Sequence, residues 1–129
     1  MCGIDEALKA RHLASLTTPE GREMYGRTLR IVQERPDGAR DTDLDMIFDL
    51  CTAEEIKAAL IRDINERGAM VSTRSGRQTY VKENPSIARV CRYTEMQRKI
   101  RDNLRITPAR RYHEEEEEKD EEKDEFEDL

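Results

Sequence analysis

The apolar positions fall into helical stretches interrupted by one stretch of different period. From Asp43 to Arg67, the residues Leu44, Ile47, Phe48, Cys51, Ile56, Leu60 and Ile64 recur at the spacing of one helix face. From Pro85 to Arg105, Ile87, Val90, Cys91, Met96, Ile100 and Leu104 do the same. A shorter stretch from Pro19 to Glu34 sets Tyr25, Leu29 and Val32 on one face, and a weaker one before it carries Ile4, Leu8 and Leu16 beside Ala7 and Ala14. Between the two long stretches, Val71, Thr73, Thr79, Tyr80 and Val81 surround Ser75-Gly76. Branched and aromatic residues around such a turn predict a short β-hairpin or extended connector over 70–81.

Punctuation agrees with these boundaries. Thr18-Pro19, Asn84-Pro85 and Thr107-Pro108 each put a capping side chain before a residue that has no N–H to waste in the first helical turn, so each predicts a helix start. Thr42, with Asp45 three residues on, is the expected cap of the longest helix, whose end is marked by Arg67-Gly68. Pro36 and Gly38 end the helix before it. The expected fold is therefore mainly α: two long helices, at about 42–67 and 85–105, form an antiparallel hairpin whose connector is β-like.

Composition limits how that hairpin is buried. The chain has 129 residues, enough for one domain, but 40% are charged, 5% are aromatic and none is Trp. So polar a chain has little apolar surface for a deep core. We therefore expect Leu44, Ile47, Phe48, Ile56, Leu60, Ile87, Val90 and Ile100 to be partly covered by other copies. The first residues do not resemble a signal peptide and no segment approaches a membrane span, which points to no membrane partner. Cys2, Cys51 and Cys91 are odd in number and far apart, as suits reduced thiols in a cytosol.

Charge is segregated along the chain. Residues 1–69 carry a net −4, residues 70–112 a net +8 and residues 113–129 a net −10. A basic block beside an acidic tail fits a polyanion partner and a competitor for it. We divide the chain into a helical assembly and binding domain, 1–112, and a disordered acidic tail, 113–129, too charged to pack a core. The basic candidates on the second long helix are Arg89, Arg92, Arg98, Lys99, Arg101 and Arg105, extended by Arg110 and Arg111. Arg74, Arg77 and Lys82 lie on the connector. Such residues neutralise phosphates without reading sequence, or pair with the acidic half of a neighbouring copy. Phe126 and Leu129 are apolar anchors within the acidic tail, suited to docking on a partner.

Catalytic chemistry finds little support. Asp41, Asp43 and Asp45 imitate the start of a calcium loop, but Met46 and Thr52 occupy the positions that need Gly and Glu. His12 and His113 have no metal-ligand neighbours, and both are expected at the surface. No phosphate loop or nucleophile elbow occurs, so neither a metal, a cofactor nor an enzymatic activity is expected.

The order of features has a counterpart. A helix entered through Asp41 to Asp45 ends at Glu66-Arg67-Gly68, and a polar hairpin containing Gly76 leads to Asn84-Pro85. The next helix closes on Leu104-Arg105-Ile106-Thr107-Pro108-Ala109-Arg110-Arg111. Over about residues 25–111 this resembles the small-subunit terminases of tailed bacteriophages. Arg105 stands where that family usually has glycine, and Arg110 where it has serine. The resemblance implies a non-catalytic part of a genome-packaging motor in the host cytoplasm. It would form a ring of helical hairpins, bind double-stranded viral DNA and regulate a large ATPase and nuclease subunit. The competing readings are a small helical transcription regulator and an acidic-tailed chaperone or DNA mimic. A ring of many copies, a dimer, and a preference for basic proteins respectively separate the three.

Overall fold

The computed structural model describes residues 3–107. Four helices and one hairpin follow in the order α1 (Glu6–Ser15), α2 (Pro19–Gln33), α3 (Asp41–Arg67), β1 (Met70–Ser75), β2 (Gln78–Glu83) and α4 (Pro85–Asn103). The strands pair antiparallel from Met70 opposite Glu83 to Ser75 opposite Gln78. They leave Gly76 and Arg77 as a two-residue turn, with Gly76 at φ +63° in the left-handed region that glycine enters without strain. The turn thus lies one residue later than Ser75-Gly76.

The expected caps hold at α2 and α4. Thr18 Oγ1 accepts the Gly21 N–H at 3.1 Å, and Asn84 Oδ1 accepts the Ser86 N–H at 3.0 Å. At α3 the expectation is corrected. The helix begins at Asp41 after Arg40, and the Asp43 carboxylate accepts the Arg40 N–H at 2.8 Å, so neither Thr42 nor Asp45 caps it. Asp41 instead accepts the Asp5 N–H at 2.9 Å, which tethers the start of α1.

Leu16, Tyr25, Leu29, Val32, Leu44, Ile47, Leu50, Cys51 and Leu104 form one buried cluster, contributed by α2, the first half of α3, the turn before α2 and the residue that ends α4. Leu44 and Ile47 are fully buried in it, so this chain itself takes up apolar surface expected between copies. The cluster stops near Ala53. Among the described residues the hairpin is only two helices thick farther along α3 and over most of α4, and its apolar residues there stay exposed or half-buried.

Arg35 fastens the helix ends around this core. Its side chain is 7% exposed. It donates to the Leu104 carbonyl at 2.6 Å, to the Gly38 carbonyl at 2.9 Å and to Asp43 at 2.7 Å. It thereby joins the end of α2, the start of α3 and the end of α4. Asp37 lies 3.6 Å from Arg35 Nε and accepts from Arg105 at 2.7 Å. Burial opposes the Asp37 charge, but Arg35, a backbone N–H, Arg105 and Arg40 together hold its carboxyl below the usual carboxylate range.

Past α4 the chain reverses through Arg105 at φ +57°, where glycine is the usual choice. The Arg105 N–H bonds the Asp102 carbonyl at 3.0 Å and the Ile106 N–H bonds the Arg101 carbonyl at 3.2 Å, a paired closure of the helix end. The Arg105–Asp37 ion pair accompanies the strained backbone. Replacing Arg35 with Ala should cost about 3–5 kcal/mol in a urea melt, because Asp43 is left buried without its partner. Arg35→Lys should recover little of this, since one ammonium cannot reach three acceptors on three segments.

Candidate functional site

Two registers of polar contacts fix the α3/α4 hairpin where it has left the core. Gln97 is fully buried. It accepts from Lys57 Nζ at 2.9 Å and donates to Glu54 at 2.7 Å and to the Leu50 carbonyl at 3.4 Å. Farther out, Asp63 accepts from Arg67 at 2.6 and 2.8 Å and from the Ser86 hydroxyl at 2.6 Å. Asn84, also fully buried, donates to the Gly68 carbonyl at 3.0 Å, so the Asn-Pro start of α4 also closes the base of the β-hairpin. A third contact ties α3 to α2: Glu55 accepts the backbone N–H groups of Thr17 and Thr18 and both hydroxyls. Burial works against its charge, but these bonds bring its carboxyl below the ordinary range.

With the register fixed, helical geometry sorts the side chains of α4. Ser86, Gln97 and Leu104 point inward and are buried. One flank carries Arg89, Tyr93, Met96 and Ile100; the other carries Ile87, Cys91, Thr94 and Arg98. Arg92 and Lys99, seven residues apart, face outward between them and are exposed. On the first flank, Tyr93, Met96 and Ile100 meet Asp49, Thr52, Ala53 and Ile56 of α3 around an open groove of about 360 Å³.

The basic candidates are therefore not equivalent. Among the described residues, Arg89, Arg92, Lys99, Arg74, Arg77 and Lys82 are exposed and make no ion pair. Arg98 pairs with Glu95 at 3.2 Å, Arg105 with Asp37 at 2.7 Å, and Arg101 is half-buried. These last three thus lie apart, on a helix flank, on a half-buried side of α4 and at the end junction. Arg110, Arg111, Phe126, Leu129 and the acidic tail from 113 lie outside the described residues.

Of the apolar candidates, Ile56 is 39% exposed, and Leu60, Ile87, Val90 and Ile100 are half-buried along the two-helix part of the hairpin. Phe48 packs against the core and stacks on His12 with ring centroids 4.5 Å apart. Sequence reasoning missed Tyr93, which shares a flank with Met96 and Ile100, and Ile61, which stands to one side of Ile56 and Leu60; both add exposed or half-buried apolar surface.

His12 is another correction. It is 8% exposed, with Nδ1 2.9 Å from the Tyr25 hydroxyl and Nε2 3.4 Å from Asp45, and so pins α1 to the core. The Cys51 thiol is pushed up to about 12, chiefly by burial and then by Glu54 and Glu55, which leaves a protonated core residue and no nucleophile. No group of three or more possible metal ligands occurs among the described residues, and none of their helices is long and apolar enough to cross a membrane.

A hairpin held in register by buried polar groups, with basic residues facing outward and apolar flanks uncovered, suits a protein that assembles and binds. Residues 21–121, most of the chain, match the family of phage terminase small subunits, and the chain belongs to that family. No curated protein and no solved structure matches it.

The hydrogen bonds that hold Asp63 also give a pH test. Arg67 and Ser86 hold its carboxyl far below the usual range. A group depressed in the folded state stabilises above its unfolded pKa of about 3.9, and that contribution is lost as pH falls toward the folded value. Asp63→Asn should therefore melt earlier than the parent at roughly pH 6, and the difference should narrow steadily toward roughly pH 2.

Proposed function

We propose that this chain is the DNA-recognition and regulatory small subunit of a phage packaging terminase. It is non-catalytic, works in the host cytoplasm as a ring of copies, and binds double-stranded viral DNA for a large ATPase and nuclease subunit. Membership of the terminase small-subunit family supports the packaging role. The observation that carries DNA binding is the outward pair Arg92 and Lys99 beside Arg89, none of which is in an ion pair within the described chain. Cations on a stiff helix neutralise phosphates at fixed spacing, and they read shape and charge rather than bases. Arg74, Arg77 and Lys82 extend the same field along the hairpin.

The uncovered flanks of α3 and α4, with Ile56, Leu60, Ile87, Val90 and Ile100, are the surfaces on which copies meet. The acidic tail acts as a tethered competitor for the basic surface, and its Phe126 and Leu129 dock on the large subunit. The support for both tail roles is composition: a net −10 over residues 113–129 with two apolar anchors near its end.

Charge reversal of Arg89, Arg92 and Lys99 together should weaken binding to every duplex tested. It should also flatten the dependence of log K on log salt by up to about 3, near 0.9 for each phosphate no longer neutralised. Fluorescence anisotropy across a salt series measures both. Unchanged affinity and slope with the oligomer intact would remove this helix from the DNA site.

A further inference from the structure

The hairpin has two uncovered flanks, and they differ. Ile61 on α3 is 39% exposed and stands about 140° around the helix from Ile56, at 100° per residue. It therefore faces the Ile87–Cys91 side of α4, away from the groove formed by Ile56 and Met96. The β-hairpin likewise offers two unlike edges. Its strands pair only with each other among the described residues, so one outer edge belongs to β1 and the other to β2. Met70 at 56%, Tyr80 at 49% and Val81 at 63% are left exposed on it. A two-stranded hairpin in water is marginal until something pairs with it or covers it.

We propose that the occupant of each flank is a second copy of this chain in a head-to-tail contact. The Ile61–Ile87–Cys91 flank of one copy lies against the Ile56–Met96 groove of the next, and the free β2 edge of one pairs antiparallel with the free β1 edge of the other. This inference rests on the assembly reading above and specifies which surfaces meet. Like-to-like contact would put groove on groove and leave both other flanks bare, whereas unlike surfaces bury each other and propagate until the ring closes.

Charge and an unsatisfied hydroxyl favour the same pairing. The Lys57–Gln97 and Asp63–Ser86 bonds set the antiparallel register, which puts Asp49 and Arg98 within about one helical turn, ~5 Å, of the same height. Asp49 edges the groove and Arg98 lies on the opposite flank, so copies standing side by side bring carboxylate to guanidinium. The Thr52 hydroxyl, buried at the groove, has no hydrogen-bond partner among the described residues.

Cysteine pairing tests the contact. Cys91 is a free, exposed thiol about one and a half helical turns, ~7.5 Å, along α4 from Met96, which lines the groove with Ile56. In full-length protein carrying Cys2→Ser and Ile56→Cys, mild oxidation should give a ladder of dimers, trimers and larger species, and Cys91→Ser should abolish it. Dimers alone, or no cross-links from an intact oligomer, overturn the proposal, and unchanged DNA binding would leave the terminase reading standing. If Ile56→Cys fails to fold, a charge exchange decides. Asp49→Arg and Arg98→Asp should each shift the protein toward monomer in light scattering, and the double variant should restore the oligomer. Lack of restoration in a folded double variant also overturns it.

Discussion

One buried guanidinium sets the shape of this molecule. Arg35 reaches Leu104, Gly38 and Asp43 from the end of α2, so three chain segments cannot separate without stranding a charge or a carbonyl. Taking that guanidinium out of water is costly, and only a full set of acceptors offsets the cost. The set is nearly full: Nε alone lacks a hydrogen bond, though Asp37 supplies charge 3.6 Å away. The junction also places Leu104 in the core, which brings α4 back alongside α3 and fixes where the rest of the hairpin must run.

Burial on either side of that anchor is uneven. Near Arg35 the hairpin is covered by α2, with His12 bringing α1 against the same layer. Farther away there is no third layer among the described residues, and polar contacts take over from apolar packing. Gln97, Asp63 and Asn84 hold register through directional bonds, which specify alignment but bury little apolar surface. A hairpin of this kind keeps its shape while its flanks stay uncovered, which is what the proposed assembly of copies requires. Arg92 and Lys99, on the row between those flanks, stay exposed and outside any ion pair among the described residues, as the proposed DNA contact requires.

Much of the fold was legible because local chemistry and global fold agree at the helix ends. Thr18 and Asn84 cap where a side-chain acceptor precedes proline, and Gly76 turns the hairpin. Periodicity showed which faces of α3 and α4 are apolar, but a period cannot say what covers a face. Leu44 and Ile47 were therefore expected between copies, whereas α2 covers them within the chain. Arg35, His12 and Gln97 were missed for one reason: each is a polar type that is usually exposed, and its burial depends on partners distant in sequence. Arg105 stands where glycine is usual, yet the reversal at φ +57° survives, accompanied by the Asp37 ion pair and the paired backbone closure.

Hydrogen exchange measured against protein concentration tests most directly whether the chain is complete at the Arg35 end and unfinished at the other. Amides of α2 and the first half of α3 should be equally protected at every concentration. Those of residues 56–83 and the start of α4 should gain protection together as copies associate. Protection that is uniform along the hairpin in dilute, monomeric protein would contradict this, because it would mean that the far half needs no neighbour.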